Sequence, residues 1–153
     1  MHRRALLRHT ASTAGIVGLA GCALPSTNTG LERSDRATLE RIVLETETGQ
    51  AEQMALTLVY APRDDSTSRP VWGEYTVPAS GEALTVSDFD GAPGVYSLTA
   101  RSVTHDDSDV VSFNSYGDAV GDGPHQFEVV ITRSGDVWTN LNEAGEPISV
   151  PGQ

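Results

Sequence analysis

The stretch Glu52-Gln53-Met54-Ala55-Leu56-Thr57-Leu58-Val59-Tyr60-Ala61 sets Met54, Leu56, Leu58 and Tyr60 at every second position. A period of two places alternate side chains on opposite faces of an extended chain, so this segment is expected to be a half-buried β-strand. The turn Thr48-Gly49-Gln50 precedes it, and the polar run from Pro62 to Pro70 follows, bounded by prolines that cannot donate to a ladder.

Working outward, the same alternation recurs. Leu39–Thr48 sets Ile42 and Leu44 against Arg41, Val43 and Glu45; its β-branched residues favour strand over helix. Further strands are expected over Val71–Val77, Ala83–Ser87 and Val95–Thr104, the last with Tyr96, Leu98 and Ala100 inward. Val110–Tyr116, His125–Arg133 (Phe127, Val129 and Ile131 on one face) and Asp136–Asn142 complete the set, the last two joined by a tight hairpin at Ser134-Gly135. About eight short strands at regular spacing, with no convincing helix, predict an all-β chain: a single antiparallel two-sheet β-sandwich over 38–150, with 151–153 a tail.

Gly94-Val95-Tyr96-Ser97-Leu98, preceded by Asp90-Gly91-Ala92-Pro93, resembles the G-x-Y-x-L strand start of immunoglobulin-like and carboxypeptidase-regulatory-like (prealbumin-like) sandwiches. The resemblance implies that the Tyr96 hydroxyl bonds back across the corner. Leu98 stands where an immunoglobulin domain has its second Cys, and three strands follow Tyr96, more than the immunoglobulin order leaves. The architecture is therefore expected and the strand order left open.

The first thirty-seven residues have another character. Met1–Arg8 carries Arg3, Arg4 and Arg8, and an uncharged, modestly apolar stretch runs from Thr10 to Gly21. That stretch is short of the ~20 mostly apolar residues of a membrane span and has the layout of a signal peptide over 1–21. Arg3-Arg4 followed by Leu6-Leu7 resembles a twin-arginine export signal, with an ordinary secretory signal as the alternative. Leu19-Ala20-Gly21-Cys22 resembles a lipoprotein lipobox, which implies cleavage before Cys22 and lipid on its sulfur. Residues 22–37, with Pro25, Gly30 and several hydroxyl residues, then read as a flexible tether.

All ten basic residues are arginines, against 21 acids and a net charge of −11. No acid precedes Glu32; from Cys22 onward seven arginines face all 21 acids, a balance of −14. Such a surface disfavours nucleic-acid binding, which is driven mainly by attraction to phosphates. Acid excess, absence of Lys and many small residues resemble secreted proteins of halophilic archaea. In molar salt the screening length falls to about 3 Å, and like charges scarcely repel.

Catalytic patterns are absent: no G-x-S-x-G, H-E-x-x-H, G-x-G-x-x-G or P-loop occurs. His105 and His125 stand at loop–strand junctions and are expected to be surface residues. Asp88 and Asp90, with the runs Asp106-Asp107-Ser108-Asp109 and Asp118…Asp122, offer oxygen ligands for Ca²⁺, but lack the full ligand set of a calcium loop. The reading adopted is turn chemistry, with no metal or other cofactor. Trp72 and Trp138 are candidate binding aromatics; Trp72 and Tyr75 fall on opposite faces of their strand, so one of them points outward. Because Trp is mostly buried, both tryptophans are expected in the core or over its open edge.

The function these features imply is a non-catalytic, lipid-anchored protein on the extracytoplasmic face of the membrane. Its partners would be the membrane, through lipid on Cys22, and an envelope protein or glycan. The alternatives are a small, Asp-based and Ca²⁺-assisted enzyme, or a purely structural envelope component.

Overall fold

The computed structural model describes residues 36–79, 81–117, 120–148 and 150. The signal residues Arg3, Arg4, Leu19, Ala20 and Gly21, the lipidation residue Cys22, the tether up to 35, Asp118 and the tail 151–153 lie outside these residues.

Among the described residues eight strands form, in chain order β1 (Thr38–Thr46), β2 (Glu52–Ala61), β3 (Ser68–Val77), β4 (Leu84–Val86), β5 (Val95–Ser102), β6 (Ser108–Asn114), β7 (Pro124–Ile131) and β8 (Val137–Glu143). They make two four-stranded sheets, β4-β1-β7-β8 (sheet A) and β3-β2-β5-β6 (sheet B), so the described residues form an all-β sandwich. Each expected strand exists, with ends displaced by a few residues.

Between the sheets lies a single apolar core, fed by the period-two positions. Sheet B contributes Met54, Leu56, Leu58, Val71, Tyr96, Leu98 and Phe113; sheet A contributes Ile42, Leu44, Phe127, Val129 and Ile131, all buried. At about 25 cal/mol per Å² of apolar surface removed from water, these side chains are the main favourable contribution to folding.

Three features depart from the sequence expectation. First, β1 and β7 pair in parallel, Thr38 opposite Pro124 through Thr46 opposite Ile131, whereas every other pair is antiparallel. Second, β3 starts at Ser68 and takes in Pro70, which the sequence assigns to a loop. Its register against β2 slips between Leu58 and Tyr60, and β3 is an edge strand, the setting in which a missing amide is tolerated. Third, β7 is buried on both faces: Gln126, Glu128 and Val130 are as covered as Phe127, Val129 and Ile131.

The pairings also fix which loops share an end. β1, β3, β5 and β7 run one way, and β2, β4, β6 and β8 the other. Arg36, where the described chain enters, therefore shares one end with the β2–β3, β4–β5 and β6–β7 loops and the exit from β8. The β1–β2, β3–β4, β5–β6 and β7–β8 turns occupy the opposite end.

Candidate binding surface

At the entry end, three tyrosine hydroxyls converge on the β4–β5 loop. Tyr96 donates to the Ala92 carbonyl at 2.5 Å, Tyr60 to Pro93 at 3.2 Å and Tyr116 to Pro93 at 3.0 Å. This is the corner bond expected of Tyr96. Burial, then the nearby Tyr60, Asp90 and Tyr116, push its phenol above the ordinary tyrosine range, so it stays a donor. Rings of Tyr60 and Tyr96 stack at 4.7 Å, and the stack continues through Phe113 to His125. His125 is thus a core residue, not a surface one: it is 5% exposed, with Nδ1 3.1 Å from the Gly123 carbonyl. The Phe113 ring supplies the apolar face that a lone loop–strand histidine does not reveal in sequence.

Beside this corner, the Tyr116 ring holds two guanidiniums, Arg36 at 4.9 Å and Arg63 at 4.6 Å from its centroid. A cavity of about 360 Å³ is lined by both arginines with Ser115, Tyr116 and Asp122. A second of similar size shares Arg63 and Tyr116 and is rimmed by Asp64, Asp65 and Asp90. These residues come from loops far apart in sequence, and no spacing rule marks them.

At the opposite end, His105 Nε2 lies 3.3 Å from Glu52 Oε1, and the Thr48 hydroxyl donates to the same oxygen at 2.9 Å. His105 is exposed, as expected of a surface histidine, but its ring lies against Gly135, where an added Cβ would sit 2.6 Å from Nδ1. Burial alone would raise the Glu52 carboxyl. Hydrogen bonds from Thr48, Thr104 and His105, with the His105 charge, outweigh it and hold the carboxyl below its usual value.

The aspartates that offered calcium ligands have separate tasks. Asp107 Oδ2 accepts from the Val137 amide at 2.7 Å; Asp109 Oδ2 accepts from the Thr139 amide at 2.9 Å and hydroxyl at 2.7 Å. Both carboxylates therefore reach from the β6 side of sheet B to the free edge of β8 in sheet A. Asp106 adopts a positive φ of 56° and pairs with Arg101, while Asp88 and Asp90 are exposed. Among the described residues, no group of three His, Cys, Asp or Glu is placed to hold a metal.

Trp72 is the clearest correction to the sequence reading. It is 79% exposed on the outer face of sheet B, not in the core. In β3 the inward positions belong to Val71, Tyr75 and Val77, so parity sends Trp72 to solvent. Across the sheet it stands in a row with Thr57, Thr99 and Val110, the last 57% exposed. Trp138 is half-buried on the outer face of sheet A, opposite Val130.

Trp72 also lies on the strand whose edge is left open. Edge strands are aggregation-prone unless short, charged or covered. β4 has three residues, β8 is capped by Asp107 and Asp109, and β6 lies along β8 at the same corner. β3 has ten residues, and among the described residues its ladder to β2 is the only hydrogen bonding of its backbone. Pro70 guards one end of it, and Glu74 is the one charge along Val71–Val77.

Neither the models of known protein families nor the curated proteins match this chain.

Proposed function

We propose that the protein is a non-catalytic, lipid-anchored module on the extracytoplasmic face of the membrane that binds a partner through the outer face of sheet B and the adjoining β3 edge. The anchor rests on the lipobox-like Leu19-Ala20-Gly21-Cys22 and the tether behind it. The binding role rests on one observation, a tryptophan 79% exposed in the middle of an open edge strand. Exposed Trp is enriched at interaction hot spots, and the indole face suits either an apolar protein anchor or a sugar ring. The row of Thr57, Thr99 and Val110 gives a flat surface, as an envelope protein or glycan would require.

Two variants test the two halves separately. Cys22→Ser should move the protein from the membrane fraction to the soluble fraction; continued retention would sink the anchor. Trp72→Ala should abolish cross-linking to membrane neighbours in cells while leaving thermal stability unchanged. Undiminished cross-linking would move the binding surface elsewhere.

A further inference from the structure

We propose that Arg36, Arg63 and Tyr116 form a binding site for a single phosphate-class oxyanion at the entry end of the sandwich. The site brings two arginines to one aromatic ring in an acidic protein. Of the other described arginines, Arg41 is paired with Glu40 and Arg101 with Asp106, while Arg69 and Arg133 have no carboxylate within salt-bridge distance; among the described residues none lies within that distance of Arg36 or Arg63 either. Both instead lie over one aromatic ring, at 4.9 and 4.6 Å. That ring is fixed: the Tyr116 hydroxyl is bonded to Pro93, and its amide donates to Asn114 Oδ1 at 3.0 Å.

A guanidinium stacked on a ring keeps its N–H edges available, and those edges match the oxygens of a phosphate. Ser115 Oγ, on the same cavity wall, accepts from the Gly94 amide at 2.6 Å, which leaves the hydroxyl proton to donate. Two forks and a hydroxyl around about 360 Å³ suit a tetrahedral anion. Asp122 lines the same cavity, and Asp64, Asp65 and Asp90 line the neighbouring one that shares Arg63 and Tyr116, so these carboxylates would repel an extended polyanion and leave room for a compact group.

The phosphate has two possible sources, a free ion or the headgroup of a lipid beneath the domain. Only the headgroup source rests on the proposed anchor, since a lipid on Cys22 would bring the Arg36 end toward the membrane.

The test uses the full chain carrying Cys22→Ser, so that no lipid of its own contributes. Inorganic phosphate is titrated by calorimetry at about 0.1 M chloride, where screening is moderate. Phosphatidylglycerol vesicles are co-sedimented in parallel. Saturable phosphate binding is expected, weakened about tenfold by Arg63→Gln and again by adding Arg36→Gln, as loss of a charge-assisted bond implies. Vesicle sedimentation that the same variants and free phosphate abolish assigns the headgroup; phosphate binding without sedimentation assigns the free ion. Absence of both overturns the site. So does equal phosphate binding by the double variant with its circular dichroism unchanged. If the glutamine variants unfold, Arg63→Lys replaces them: it keeps the charge and loses the fork, and undiminished binding by this folded variant overturns the site.

Discussion

Asp109 and Thr139 lie in different sheets, yet one carboxylate oxygen of Asp109 takes both the amide and the hydroxyl of Thr139. The partner is a strand edge, so this contact replaces the neighbouring strand that β8 lacks. Asp109→Ala should cost about 1–3 kcal/mol by leaving an edge amide without its acceptor, measured by urea denaturation. Combining it with Asp107→Ala should also bring concentration-dependent aggregation, as the β8 edge is uncovered. A double variant that stays monomeric at high concentration would contradict this role.

The Glu52–His105 contact predicts acid sensitivity with a defined sign. The folded-state carboxyl of Glu52 lies below its ordinary value of 4.5. Its stabilisation is therefore complete above that value and disappears as pH falls through the depressed folded value. Glu52→Gln should lower the thermal midpoint at pH 7, and the gap from wild type should narrow as the pH falls well below 4.5. A gap that is constant with pH would show that packing, not charge, explains the loss.

Gly91 and Gly94 test how closely the β4–β5 loop is seated. A Cβ on Gly91 would stand 2.1 Å from the Leu39 carbonyl oxygen, and one on Gly94 would stand 2.2 Å from the Tyr60 ring. Neither neighbour has room to yield, the first being backbone and the second stacked on Tyr96. Alanine at either position should destabilise by about 1–3 kcal/mol. At Gly117 the nearest atom is 3.4 Å away, and alanine there should stay within about 0.5 kcal/mol of wild type.

Tyr96→Phe removes only the hydroxyl that reaches Ala92 and leaves the ring stack in place. The expected cost is about 1–1.5 kcal/mol, the ordinary net value of a hydrogen bond. The phenol, raised by burial, should show no ultraviolet ionisation below the alkaline unfolding transition. Titration of all four tyrosines in the folded protein would refute that environment.

The local part of this fold was legible in the residues. Alternation alone located β2 and β5, because one buried face demands a period of two; in β7 it located the strand through Phe127, Val129 and Ile131 but not its second buried face, and the Gly94-to-Leu98 pattern located the tyrosine corner. What stayed hidden depends on distant partners. Nothing in Thr38–Thr46 announces that it pairs in parallel with Pro124–Ile131. Asp107 and Asp109 read as turn residues because the groups they bond belong to β8, about thirty positions away. Parity required either Trp72 or Tyr75 to face out, but the choice depended on which face of β3 met the core. Arg36, Arg63 and Tyr116 meet only because the entry to β1 and the β2–β3 and β6–β7 loops share one end of the sandwich.

The strand order has a consequence for when the protein can fold. Sheet B draws all its strands from residues 52–114, so it can assemble while later chain is still being made. Sheet A cannot: β1 waits for β7, across most of the domain, with only the three residues of β4 to pair before then. Until residue 131 is available, Ile42 and Leu44 lack the neighbours that bury them, and the inner face of sheet B is open to water. The chain beyond Asn114 thus acts as a latch on the whole domain, and a chain stopped there should collapse without closing.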